Sequence, residues 1–145
     1  MKEEEQMAKA GTKYGKYILR EPLGKANHIE IPWLVVKMTG EKDCGGAALV
    51  MVCECVSKPF LMVKDSHAHD FDQFLVFIGG NPQNMKDFGA EVELTLGAEG
   101  EKHIINSSAV VYIPRGLKHC PLNFKKIDKP IIFMDLGLTP TYARK

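Results

Sequence analysis

Apolar residues recur along this chain in short runs that are punctuated at close intervals by turn residues. The runs at 33–38, 48–56, 60–64, 73–78, 92–96, 103–105, 109–113 and 130–136 are rich in Val, Ile, Phe and Leu. Their length and β-branched or aromatic content predict strands. Thr39-Gly40, Gly45-Gly46, Gly79-Gly80-Asn81-Pro82, Gly97 to Gly100 and Pro114-Arg115-Gly116 separate them, and each carries turn chemistry. No stretch keeps a 3.6-residue apolar period over three turns. Many short strands at close spacing predict an all-β sandwich or barrel. The longest expected loop, 79–90, has room for a short helical turn.

Residues 1–13 are polar and charge-rich and read as an N-terminal arm. Residues 14–145 then form a single domain, with no linker to split them. A chain of 145 residues is long enough to bury a core without disulfides or a structural metal. Lys and Arg exceed Asp and Glu by one, 19 against 18, so no basic surplus argues for nucleic acid. No apolar run is long enough to span a membrane. The charged Met1-Lys2-Glu3-Glu4-Glu5 start is unlike a secretory signal, and a cytoplasmic location is expected. Cys44, Cys53, Cys55 and Cys120 are then expected as thiols.

Two stretches carry candidate chemistry. In an extended strand, His67, His69, Phe71, Gln73, Leu75 and Phe77 share one face. Two imidazoles and an amide oxygen then converge, as a divalent ion requires. In the second stretch, Pro114-Arg115-Gly116 makes a tight turn and His119 opens another strand, sharing a face with Pro121 and Asn123. A third imidazole delivered across that turn completes a three-His site. By the same alternation Asp70 and Asp72 point away from the ligands, and Cys120 points away from His119 as a barrel-exterior or sheet-packing thiol. Cys53 and Cys55 read as small buried apolar side chains, and His103 as a strand-edge surface residue. Lys64, Lys118, Lys125 and Lys126 read as solvated.

Together these stretches resemble the cupin superfamily. Its first motif, a His-x-His pair followed by Glu and a closing Gly, is matched by His67, His69 and Gly80, with Gln73 at the Glu position. Its second, an opening Gly followed by Pro-x-Gly-x-x-His-x-x-x-Asn, is matched by Pro114, Gly116, His119 and Asn123, with Ser108 in place of the opening Gly. The resemblance covers roughly residues 60 to 137. It implies a cupin-type double-stranded β-helix, a jelly-roll barrel. It also implies one divalent transition metal per chain (Fe, Mn, Ni or Zn), held by His67, His69, Gln73 and His119. Neutral Gln73 makes such a site more positive by one charge than Glu does, which favours an anionic substrate. Alternatively Gln73 steps back and leaves a three-His face.

The resemblance further implies a metal-dependent enzyme acting on a small enolisable or oxygen-chelating substrate, dioxygenase-like ahead of isomerase- or decarboxylase-like. The alternative is a non-catalytic module that binds a small molecule or a metal. Arg115 and Tyr112 flank the second-motif turn and are the candidates to steer a substrate. Phe71 is the apolar residue placed to touch it. Small cupin-like chains pair through sheet edges and exchanged N-terminal strands, so a homodimer is expected.

Overall fold

The computed structural model describes residues 12–143. The arm expected over 1–13 thus lies almost wholly outside the described residues. The described residues form a 3-10 turn, Gly15–Tyr17, followed by ten strands and one short helix. The strands are β1 (Leu23–Lys25), β2 (Leu34–Thr39), β3 (Val50–Val56), β4 (Phe60–Val63), β5 (Gln73–Gly79), β6 (Ala90–Leu96), β7 (Glu101–Ile105), β8 (Ala109–Ile113), β9 (His119–Ile127) and β10 (Ile131–Gly137). The helix, α1 (Gly40–Asp43), begins where the Thr39 side chain accepts the Lys42 amide. The expected strands are all present, with ends moved by a few residues. β1 and α1 are additions, each too short to leave a periodic signal.

Two antiparallel sheets result. One has the order β1-β2-β3-β10-β5-β8, the other β4-β9-β6-β7. This is the jelly-roll barrel expected for the chain. The loop after β5 carries no helix.

Alternation governs what each sheet presents inward. On β5, Gln73, Leu75, Phe77 and Gly79 are buried. On β10, their partners Gly137, Asp135, Phe133 and Ile131 point the same way. Between the sheets the rings of Phe77, Phe124 and Phe133 pack within 5.1–6.3 Å of one another. They form the centre of a core that includes Leu94, Leu122, Ile113 and Ile131. Burying such rings is the main favourable term in a fold of this size. The aromatic core fills the middle of the barrel, so Gln73 at the start of β5 is left at the open end.

Two backbone devices shape that end. Pro114 to Leu117 is a tight turn, closed by the Leu117 amide on the Pro114 carbonyl. Gly116 occupies its third position with φ of 82°, a left-handed value that excludes most side chains. On β9 the pairing with β6 slips between Leu94 and Leu96, so Cys120 and Pro121 together oppose Thr95. This bulge breaks the period-two alternation.

Candidate metal centre and cavity

His67 and His69 lie in the irregular segment between β4 and β5, not in a continuous strand. His67 nevertheless makes a two-way bridge with His119: each donates its amide to the other's carbonyl, at 3.1 and 2.9 Å. The Gly116 amide in the tight turn donates to the His69 carbonyl at 2.8 Å. The backbone thereby ties the two histidine stretches together. The three imidazole centroids lie 4.5–5.1 Å apart.

The ring nitrogens are oriented by their partners. His67 Nδ1 contacts the Asp65 carbonyl at 2.9 Å, His119 Nδ1 the Leu117 carbonyl at 2.9 Å, and His69 Nδ1 the Ala143 carbonyl at 2.6 Å. A carbonyl oxygen only accepts, so each Nδ1 carries the proton and each Nε2 keeps its lone pair. An imidazole held this way is prepared to ligate through Nε2.

At His69 that nitrogen has company. The Tyr142 hydroxyl sits 3.3 Å from His69 Nε2 and, facing a lone pair, must be the donor. Residues 142 and 143 thus hold both nitrogens of this ring. Phe71 stacks on the same imidazole, with ring centroids 4.7 Å apart, and meets the Tyr142 ring at 6.0 Å. Gly137 makes room for Phe71, since a Cβ there would meet the Phe71 ring and Val50 at 2.8 Å.

Gln73 is 97% buried, with a relative exposure of 3%. Its Nε2 donates to Asp135 Oδ1 at 2.6 Å, which fixes the amide. Its Oε1 is buried without a donor. A buried acceptor left open is costly unless something occupies it, and a divalent ion would satisfy it. Oxygen from Gln73 and nitrogens from the histidines thus suit a first-row ion.

A further donor comes from Cys120. His67, His119 and Cys120 have ligand atoms within 4.8 Å of one another, a possible His/Cys metal site. Alternation had sent Cys120 to the face away from His119. The bulge corrects this: His119 and Cys120 are consecutive and both buried. It also moves Asn123 off the His119 side, because Leu122 and Phe124 take the inward positions.

A cavity of about 680 Å³ opens beside this cluster. His67, Gln73, His119 and Cys120 line it together with Lys37, Glu54 and Asp135. None of these last three was singled out from the sequence. All occupy the inward parity of their strands, with Lys37 paired to Val52 and Val52 to Asp135. A charge on the apolar parity of a strand was the signal available. Burial, with Asp135 nearby, pushes the Glu54 carboxyl from 4.5 up to about 7, and Lys37 opposes the rise. Burial also raises the Asp135 carboxyl, and the hydrogen bond from the Gln73 amide opposes the rise.

Tyr112 and Arg115 are not brought to this cavity. Tyr112 stands on the outer face of the six-stranded sheet, stacked on Phe74, and is 54% exposed. Arg115 is exposed in the turn, its amide donating to Asp72. The Tyr112 hydroxyl reaches the same carboxylate at 3.3 Å, so Asp72 organises the turn from outside. Asp70 is exposed. His103 is exposed beside Glu101. The four cysteines are free thiols. Cys53 and Cys55 sit half-buried on the outer face of β3, where alternation sends them, and not in the core.

No protein-family model matches the chain, and no curated protein does. Solved structures do. An oxalate oxidase in complex with the substrate analogue glycolate superposes with a TM-score of 0.61 at 11% identity, over 96% of this chain and 66% of that one. A variant of Bacillus subtilis oxalate decarboxylase gives 0.57 at 14% identity, over 84% of this chain and 29% of that one. A study of the Mn(II) centres of the same decarboxylase gives 0.53 at 14% identity. The chain spans only 28% of the decarboxylase chain in that study, while 81% of its own length is covered. Likeness at this identity establishes the fold, the cupin double-stranded β-helix expected from the two motifs. Among the described residues no helix is long and apolar enough to cross a membrane.

Proposed function

We propose that this chain is a metal-dependent enzyme acting on a small acid that offers two oxygens to one ion. The observation that carries the reading is the set of imidazoles whose Nδ1 protons are committed to backbone carbonyls beside a cavity of about 680 Å³. His67, His69 and His119 would hold the ion, with Gln73 Oε1 or Cys120 completing the set. When bound, a divalent ion supplies positive charge where an enolate or carboxylate oxygen develops, or a redox centre for dioxygen chemistry.

The chain's own residues then divide the work. Lys37 places a fixed positive charge in the wall. Glu54, held near neutrality, is a proton source or sink, which decarboxylation or enolisation requires and dioxygen insertion does not. This favours proton-transfer chemistry over dioxygenation. Leu75, Phe133 and Leu122 line the apolar part of the cavity and limit the substrate to a small, partly apolar acid. The solved neighbours are named for oxalate, which offers two oxygens to one ion in the same way but has no apolar part.

The test is metal content of the protein purified without added metal, beside His119→Ala, followed by small 2-oxo and dicarboxylic acids assayed for carbon dioxide release, solvent deuterium uptake and oxygen consumption. About one ion per chain, lost in the variant, with carbon dioxide release or deuterium uptake that depends on it, supports the reading. Failure to bind any first-row divalent ion on reconstitution sinks it. The contact of Tyr142 with His69 favours one second reading, a non-catalytic binder. Tight ligand recovered unchanged would select that.

A further inference from the structure

The register shows how far the cavity runs from the metal donors. Inward side chains recur at every second residue, about 7 Å apart along a strand. Gln73 pairs with Gly137 at the open end. One inward row further, Asp135 stands between Val52 and Leu75, and one row beyond that Glu54 pairs with Phe133. Glu54 is thus two rows, about 14 Å of strand, past Gln73. Val52, Leu75, Leu122 and Phe133 also line the cavity and suit an apolar stem. Glu54 is 6% exposed and lines the same cavity. Among the described residues its carboxyl has no hydrogen-bond partner and no cation within 4.0 Å. Lys37 gives an Nζ proton to the Lys25 carbonyl at 3.1 Å, which holds it toward the edge strand β1. Asp135 gives its Oδ1 to the Gln73 amide. A carboxyl this buried is costly when unanswered, and the cavity is where a partner enters.

We propose that Glu54 sets specificity at the far end of the cavity by receiving a hydroxyl group, so that the substrate is a hydroxylated acid: carboxylate at the ion, apolar stem, hydroxyl at Glu54. This rests on the ion-held acid of the proposed function and adds what the other end of that acid carries. Three kinds of group could meet the carboxyl, and the charges around it choose among them. An ammonium would add a further cation to Lys37 and the ion. A second carboxylate would face Asp135 as well as Glu54. A hydroxyl brings no charge and loses least on leaving water. It donates to a carboxylate and accepts from a carboxylic acid. It therefore answers Glu54 in either protonation state and leaves it able to give or take a proton.

The experiment is calorimetric titration of the whole chain, loaded with Mn(II) and metal-free, with 2-hydroxy acids of four to six carbons. At each length the acids end in a methyl, a hydroxyl, an ammonium or a carboxylate. At one length the hydroxyl-ended acid should bind about tenfold more tightly than its methyl-ended counterpart, the worth of one buried hydrogen bond. Glu54→Gln keeps a donor and an acceptor and should hold that preference within about threefold. Glu54→Leu should abolish it while the methyl-ended acid binds at least as tightly as before. Equal binding of methyl- and hydroxyl-ended acids at every length overturns the proposal, and so does a preference that survives Glu54→Leu. Tightest binding of the ammonium-ended acid overturns it in favour of a cation subsite, and of the carboxylate-ended acid in favour of Lys37 as the recognising group. Affinities that are the same with and without Mn(II) sink the ion-held acid, whereas the ranking of end groups tests Glu54 in either state. No binding by any acid overturns both.

Discussion

Glu54→Gln should flatten the dependence of stability on pH. Glu54 is 6% exposed and its carboxyl is raised from 4.5 to about 7 by burial and by Asp135. Below pH 4.5 the group is protonated in folded and unfolded chains alike, and it costs nothing. Between 4.5 and about 7 the unfolded chain releases a proton that the folded chain keeps, so stability falls as pH rises. Above about 7 the cost is constant. At about 1.4 kcal/mol per pH unit it reaches roughly 3 kcal/mol, of which between 2 and 3 kcal/mol develops from pH 5 to pH 8. Asp135 is raised in both proteins, and Lys37 opposes the rise, so the comparison isolates Glu54 apart from its coupling to them. A Gln side chain does not titrate, and any packing offset it introduces is the same at every pH. Urea unfolding of wild type and variant at pH 5, 6, 7 and 8, in chelator so that no ion interferes, reads the difference directly. In melting temperature the two curves should diverge by about 5–10 °C across that range. Parallel curves would show that Glu54 is not held away from water as the structure has it.

Three other expectations follow from the site and from the core beneath it. Tyr142→Phe removes the hydroxyl from His69 Nε2 and should tighten metal binding by about two- to fivefold in a chelator competition, the worth of one long neutral hydrogen bond; weaker binding would mean that the hydroxyl is itself a ligand. Gln73→Glu exchanges the donor on Asp135 for a second carboxylate. It should destabilise the metal-free protein at pH 8 by about 1–3 kcal/mol and recover on metal addition, and a variant as stable as wild type without metal would refute the amide's assigned orientation. Phe124→Ala, at the centre of the aromatic core, should cost about 3–5 kcal/mol in denaturant unfolding; a loss under 1 kcal/mol would contradict its complete burial.

Much of this was legible in the sequence, for identifiable reasons. Strand runs such as 109–113 and 73–78 carry their period in their side chains, so the fold class followed. His67, His69 and His119 were legible because two motifs and a Pro-x-Gly turn place them. Cys120 was not, because the bulge opposite Thr95 is a property of the pairing with β6 and leaves no mark on the local run. Glu54 and Asp135 sit in strands whose apolar neighbours drew attention to packing, and a single inward carboxylate among them passed as noise. Tyr142 is illegible for another reason. Its role depends on the chain returning across the barrel mouth to His69, a contact between residues 73 positions apart. Tyr112 and Arg115 lie beside a ligand in sequence, but strand alternation and the turn send them outward.

The position of β10 has a consequence for how the chain is made. Hydrogen bonds flank it on both sides, from β3 and from β5, although every other strand precedes it in the sequence. A chain ordered only as far as β9 would hold two half-sheets, β1-β2-β3 and β5-β8, with open edges facing each other across an empty slot. Those edges expose unpaired amides beside apolar side chains and invite any strand that arrives first. Closing the slot joins residues far apart in sequence and is therefore slow. Folding is then a race between the chain's own last strand and a neighbour's, and yield on refolding should depend on concentration more steeply than stability does.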